Sequence, residues 1–397
     1  MEKPMSDAQV VVAGAGPVGL LTALGLARAG VDVTVIDALP GTEPRPHDMV
    51  YDWVVLPGIE ELGLLRDMCR VGVMARTRSF RVLDTGEQIV HDLDVLADEV
   101  EHPFNVHMPP HLLTELVTAR LAGHPRVGFA WDTRLTDVRK DAHGVTVTAE
   151  TPHGTRTLRA GWLVGADGAH SQVRRSLGMG FPGMTWPKRF VAADIRFDLA
   201  TLGSAPASWQ LDPDDGAVMG QVDPSGLWRF IYAESRLLPE ETVADRMPAV
   251  FKAALPDGAD PLLESWAAHR VHERVADRFR AGRVLLAGDA AHVTNPTLAL
   301  GMACGVLDAF ALTRALAAVV HGEADDARLD HYAQDRRRVF LEYASPVSTK
   351  ALRFLFHTDS ATRFGSGVER WRRLAADPRL LRDRLLDHRR LRGSPLP

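Results

Sequence analysis

The sequence predicts an α/β fold on a parallel sheet, with an antiparallel sheet interleaved into the chain and helices towards its C-terminal end. Three observations carry this. The β-branched run Val10–Ala13 leads straight into the glycine turn Gly14-Ala15-Gly16-Pro17-Val18-Gly19 and then a helical pattern, Leu20–Ala29. Two further apolar runs, Ala160–Gly168 and Arg283–Ala287, end in glycine turns of their own. Between them, residues 181–235 alternate β-formers with the turn signals Pro182, Pro187, Pro206, Asp212–Gly216 and Pro224–Gly226.

The elements follow in order. Val10–Ala13 reads as a strand buried on both faces, and Gly30 closes the helix after it. Val31–Ile36 is the second strand, so about thirty residues form a βαβ unit, which requires parallel pairing. Residues 41–48 are a polar, proline-rich loop. Ile59–Leu65 reads as a short helix, residues 76–100 as alternating strand material, and His111–Leu121 as an amphipathic helix. Short strands return over Val127–Leu163, with a turn at Asp141–Gly144. Thr242–Leu255 reads as a helix, Arg283–Ala287 as a buried strand, and about Met302 to Val320 as a long helix followed by polar ones.

Composition bounds the function. The chain has 397 residues and 43.4 kDa, enough for two intimate domains or one large composite. Hydrophobic residues make up 46% and charged residues 24%, a globular balance. A formal charge of −5 leaves no global basic field for nucleic acid to follow. The last 47 residues carry eleven arginines against five interleaved acids, which fits a solvated helix face. Two cysteines, Cys69 and Cys304, make neither a disulfide framework nor a cysteine-ligated zinc site. No run approaches the roughly 18 apolar residues of a membrane span. Met1–Gln9 is polar and unlike a leader, so a cytoplasmic protein without membrane partners is expected.

Three motifs carry chemistry. In the first, Gly14 permits the strand-to-helix turn, Gly16 lets a pyrophosphate approach the backbone, and Gly19 allows close helix–strand packing. Pro17 opens the helix, whose free N–H groups and positive dipole end face phosphates. Asp37, eighteen residues after Gly19, sits where a carboxylate can accept the hydroxyls of an adenosine ribose. The bland alternative is a structural turn with a surface acid, but the strand and helix on either side favour a dinucleotide. The second motif is Gly165-Ala166-Asp167-Gly168-Ala169-His170-Ser171-Gln172-Val173-Arg174, and the third Gly282-Arg283-Val284-Leu285-Leu286-Ala287-Gly288-Asp289-Ala290-Ala291-His292. Gly288 ends a buried strand where bare backbone can touch a ligand, and Asp289 offers acceptors to sugar-like hydroxyls or, alternatively, caps a helix. The loop Pro296–Gly301 precedes a helix whose N-terminus, at Met302, would stabilise negative charge beside it.

With these three ordered motifs, nearly the whole chain resembles the single-component flavoprotein aromatic hydroxylases of the para-hydroxybenzoate hydroxylase type. The resemblance implies a glutathione-reductase-like FAD-binding Rossmann domain covering 1–75, 101–180 and 270–345. It implies an antiparallel-sheet substrate domain over 76–100 and 181–269, and C-terminal helices over 346–397. It implies FAD, with Asp167 serving the flavin side and the nicotinamide approach and Asp289 bonding the ribityl chain. NADH or NADPH would reduce the flavin, O2 would add at C4a, and the distal oxygen of the hydroperoxide would pass to an aromatic or heteroaromatic ring carbon. Monomer and homodimer are both compatible with it.

The chain departs from that pattern at named positions. His47 stands where the family has an arginine meeting the pyrophosphate, with Arg45 nearby as a substitute. Pro110, between His107 and His111, stands where a glutamine is common. Leu298 and Ala303 replace a glycine and an asparagine of the flavin loop. For the substrate, Trp228, Phe230 and Tyr232 alternate at strand period, as do Met219 and Gln221, and read either as a pocket wall or as sheet core. Arg229 lies on the opposite face and is a candidate to reach the flavin. His170 and His292 read as structural, and no catalytic triad or metal-ligand set is legible. Epoxidation, Baeyer–Villiger oxidation and a non-redox flavin-fold protein remain alternatives. A flavin-free NAD dehydrogenase would leave the second and third motifs unexplained.

Overall fold

The computed structural model describes residues 8–41, 49–197, 199–255, 259–358 and 360–395. A first sheet runs Arg280–Ala281, Val284–Leu286, Gly154–Gly165, Ala8–Ala13, Val33–Ile36, Val127–Ala130. Its last five strands are mutually parallel. Val10, Val11 and Val12 are fully buried, which is why the strand reads as an unbroken apolar run. Each such side chain contributes about 1.5–3 kcal/mol before chain entropy is subtracted. An antiparallel meander, Arg134–Lys140, Val145–Thr151 and Gly154–Gly165, grows from the same sheet.

The second sheet runs His292–Val293, Leu262–Val275, Gly183–Arg196, Leu227–Ser235, Ala217–Gln221, Ala207–Leu211, Thr77–Val82, Gln88–Asp92. It is antiparallel except at one seam, where Ala207–Leu211 pairs parallel with Thr77–Val82. That seam puts strands from near residue 80 beside strands from near residue 210. A small sheet joins Val50–Tyr51, Asn105–His107 and Val73–Ala75.

Helix boundaries shift slightly from the sequence expectation. The first helix is Pro17–Arg28 and the long one Leu300–Val320. The single short helix expected at 59–65 is two, Leu56–Glu61 and Leu65–Val71, because Gly63 breaks the run. An uninterrupted apolar run of about 18 residues is absent, since Asp308 and Arg314 break the longest helix. Leu300–Val320 is long and apolar enough to cross a membrane by length and composition, but 67% of its most apolar stretch is buried inside the fold.

The aromatic stripe on Leu227–Ser235 is core. Trp228, Phe230 and Tyr232 pack with Val243, Met247 and Phe251 of the helix Val243–Ala254. Phe230 meets Phe251 edge-on at 5.4 Å. The opposite face of the same strand carries Arg229 and Ile231, and it is this face that looks into a cavity.

Candidate functional site

The three motifs converge on the N-terminus of Pro17–Arg28, and their glycines divide into two kinds. A Cβ on Gly14 would lie 2.3 Å from the Ala166 carbonyl oxygen, and Gly14 has φ +103°. A Cβ on Gly19 would lie 2.0 Å from the Gly14 carbonyl oxygen. Gly288, at φ +59°, would bring one to 2.8 Å from Val18. These three let backbones pack. Gly16 is different, because nothing lies within 4 Å of where its Cβ would be. The space beyond Gly16 belongs to a groove of about 790 Å³.

That groove is lined by Gly14–Pro17, Asp37, Pro110, His111, Asp167 and His170, among others. Gly16 caps the helix without any side-chain hydrogen bond, so the first-turn N–H groups have no side-chain acceptor. Asp37 Oδ2 accepts from the Ala15 N–H at 2.6 Å and Oδ1 from the Leu39 N–H at 2.9 Å. Both oxygens retain lone pairs on the groove side. Asp167 Oδ2 accepts from Gln172 and Val173 N–H at 2.7 and 3.0 Å, while Oδ1 is buried with no partner. An open glycine, uncapped helix donors and the carboxylate acceptors of Asp37 form a set of polar groups that fits a dinucleotide such as FAD.

Asp289 sits across Val18 from this groove, on the turn Gly288–Ala290. Its side chain is accessible, yet protein atoms crowd round it, as on the floor of a cleft. That crowding raises its carboxyl above the usual range, with His292 opposing the shift. His292 is buried and bonded to Asp308, as a structural histidine would be. The following turn, Pro296–Leu298, is capped by Asn295, whose Oδ1 accepts from the Thr297 N–H. Ala299 then adopts φ +54° and starts Leu300–Val320 with no side-chain cap. Gly301 and Met302 lie in that uncapped first turn, a second set of free donors. Arg45 and His47 lie outside the described residues.

Under Pro296–Ala299 is a second cavity, walled by Met49, Trp209, Ile231 and Trp371. Trp209 Nε1 donates to the Thr297 carbonyl at 3.2 Å, tying the sheet to the loop. Leu298 lines this cavity, so its bulk falls between loop and cavity. Of the two readings of Trp228, Phe230 and Tyr232, pocket wall or sheet core, the pocket wall is corrected: strand alternation turns them into the core. Met219 lines the cavity from the neighbouring strand. Gln221 is not among the lining residues; its carbonyl accepts from His107 Nδ1 at 3.3 Å beside the cavity. Burial pushes the His107 ring down to about 4, so it is neutral. Arg229 faces the cavity but is held by Asp194. Sequence reading missed Arg78, Asp52, Trp371, Arg384 and His388, which line the cavity from far-apart segments. The only local signal was a cation on an otherwise apolar strand face, Arg78, Phe80, Val82.

A model of the FAD binding domain family matches residues 7–344. The chain is 39% identical over 388 residues to para-nitrophenol 4-monooxygenase of Pseudomonas sp. (strain WBC-3), covering 97% of this chain and 96% of that protein. It is 39% identical over 378 residues to 6-hydroxy-3-succinoylpyridine 3-monooxygenase HspB of Pseudomonas putida (strain DSM 28022 / S16), covering 95% and 96%. The crystal structure of p-nitrophenol 4-monooxygenase PnpA from Pseudomonas putida DLL-E4 superposes with a TM-score of 0.95 at 36% identity, covering 98% of this chain and all of that one. Aklavinone-11 hydroxylase, solved with FAD and aklavinone, gives 0.78 at 28% identity over 90% of this chain and 70% of that one.

Proposed function

Since the chain belongs to the FAD binding domain family and is a FAD-dependent aromatic monooxygenase, we propose that it uses NADH or NADPH and O2 to hydroxylate a phenol or hydroxylated heteroaromatic ring. The observation that carries the substrate side is the aromatic-walled cavity directly beneath Pro296–Ala299.

FAD supplies the redox and oxygen chemistry when bound. The chain binds and orients it. Gly16 and the uncapped first turn of Pro17–Arg28 would take the diphosphate, Asp37 the adenosine ribose, and Asp289 the sugar-alcohol chain. Asp167, with its unpartnered Oδ1, faces the same groove. The N-terminus of Leu300–Val320, with Gly301 and Met302, offers free N–H groups and a positive dipole end that would favour negative charge on a flavin held beside it. Trp209 and Leu298 give the adjoining cavity an apolar wall next to the loop, where oxygen transfer needs shielding from water. Nicotinamide would enter without a dinucleotide fold of its own, because one such glycine turn is present among the described residues. The FAD-binding part is proposed as 1–75, 101–180 and 270–345, and the substrate part as 76–100 and 181–269.

The purified protein should be yellow and should consume NADPH or NADH faster when 4-nitrophenol or a hydroxypyridine is added. Labelled O2 should leave one labelled oxygen on the ring. A flavin-loaded protein whose nicotinamide consumption no phenol accelerates would refute the substrate reading.

A further inference from the structure

The cavity beneath Pro296–Ala299 carries five basic side chains, Arg78, His107, Arg229, Arg384 and His388. Four already have partners. Arg229 grips Asp194 through Nε and Nη2 at 2.7 and 2.9 Å. Arg384 reaches Asp387 at 3.0 Å, and His388 Nδ1 meets Asp52 Oδ2 at 3.0 Å. His107 donates to the Gln221 carbonyl. Arg78 is the exception. Among the described residues its guanidinium makes no side-chain hydrogen bond and no salt bridge, and its Nε is buried without an acceptor. Its nearest aromatic face, Phe80, is 5.9 Å away, at the outer limit of a cation–π contact. The single acid on the cavity wall, Asp52, is engaged by His388.

An unpaired guanidinium in a crowded cavity is costly to keep charged. Burial pushes Arg78 down to about 10, with the neighbouring Arg384 adding to the effect and Asp52 opposing it. It therefore still carries its charge at neutral pH. Its position is also rigidly tied to the flavin loop. Arg78 pairs in parallel register with Ala207, two residues before Trp209 on the strand Ala207–Leu211, and Trp209 bonds the Thr297 carbonyl.

We propose that Arg78 is a specificity-determining residue of this hydroxylase, holding an oxyanion of the aromatic substrate, a phenolate or a carboxylate, by a charge-assisted hydrogen bond. The assignment rests on the reading of this cavity as the substrate site. Through the seam at Ala207 the anion is held at a fixed offset from Pro296–Ala299, so the anchor sets which ring carbon faces the loop. A neutral aromatic would leave the guanidinium unpaired and bind more weakly.

The test uses FAD-loaded full-length protein and three probes: 4-nitrophenol, benzoate, and 4-nitroanisole, which has no ionisable oxygen. Binding is measured by calorimetry for wild type, Arg78→Met and Arg78→Lys. The phenolate absorption band of bound 4-nitrophenol is read at a pH where the free phenol is mostly protonated. Arg78→Met should weaken 4-nitrophenol or benzoate by about 10- to 100-fold. It should leave 4-nitroanisole within about threefold and abolish any enrichment of bound phenolate. Arg78→Lys should lose less. Weakening of 4-nitrophenol alone identifies the phenolate as the held anion, and weakening of benzoate alone identifies the carboxylate. Flavin-loaded Arg78→Met that binds both anions as tightly as wild type overturns the assignment and leaves the substrate site standing. Wild type that binds none of the three probes overturns the substrate site and the assignment together. If Arg78→Met fails to retain FAD, Arg78→Lys decides: unchanged anion affinity and an unchanged phenolate band overturn the proposal.

Discussion

Asp308, midway along Leu300–Val320, holds His292 at 2.7 Å and so bolts the turn that carries Asp289 to that helix. The same carboxylate accepts from the Gly288 N–H at 3.0 Å and from Arg336 Nε at 2.7 Å. Arg336 continues the network to the Leu391 carbonyl near the C-terminal end. All four groups are buried, so the strand end, the long helix and the C-terminal helices share one charge cluster.

Asp308→Asn should destabilise the protein by about 3–5 kcal/mol, because it leaves the Arg336 guanidinium buried and uncompensated. Burial raises the Asp308 carboxyl, but His292 and Arg336 outweigh it and hold it below the usual range. A depressed carboxyl stabilises fully above its unfolded pKa and loses that contribution as pH falls through the folded value. Urea midpoints measured at pH 7 and near pH 3 should therefore differ more in wild type than in the variant.

Gly14→Ala and Gly16→Ala should separate folding from cofactor binding. The first places a Cβ 2.3 Å from the Ala166 carbonyl at a positive φ, so thermal stability should drop by about 2 kcal/mol or more. The second meets open space, so the fold should tolerate it while FAD affinity falls. Calorimetric melting and flavin retention after gel filtration distinguish the two. A Gly16→Ala protein that keeps FAD as tightly as wild type would contradict the diphosphate assignment.

Trp209→Phe removes the bond to the Thr297 carbonyl and should cost about 1 kcal/mol of stability. The more telling consequence is on coupling. With the loop released, a larger share of the NADPH consumed should appear as hydrogen peroxide instead of hydroxylated product, which a peroxidase assay quantifies.

Burial holds His91 and His107 at about 4, well below a free imidazole. A histidine with a lowered folded pKa is protonated first in the unfolded chain, so stability falls as pH drops from about 6.5 towards 4. The His107→Gln protein should show a shallower loss of denaturant midpoint between pH 7 and pH 5. An identical slope would mean that His107 is not buried in its neutral form.

The sequence by itself determined the parts whose chemistry is local. A glycine at each tight backbone approach, an uncapped helix after a buried strand and an acid after the second strand are dictated within a few residues of one another. Gly14–Gly19, Asp37 and the Gly288–Asp289 turn were therefore legible before any coordinates. The family followed from their order along the chain. The tertiary structure decided the substrate side. Alternation on Leu227–Ser235 identifies which residues share a face but not which face is covered, and the helix Val243–Ala254 took Trp228, Phe230 and Tyr232 into the core. The cavity wall instead gathers Arg78 and Trp209, brought together by a parallel seam between strands more than a hundred residues apart, with Trp371 and His388 from the C-terminal helices. Such walls are assembled by packing between distant segments, and no periodicity within one segment encodes them.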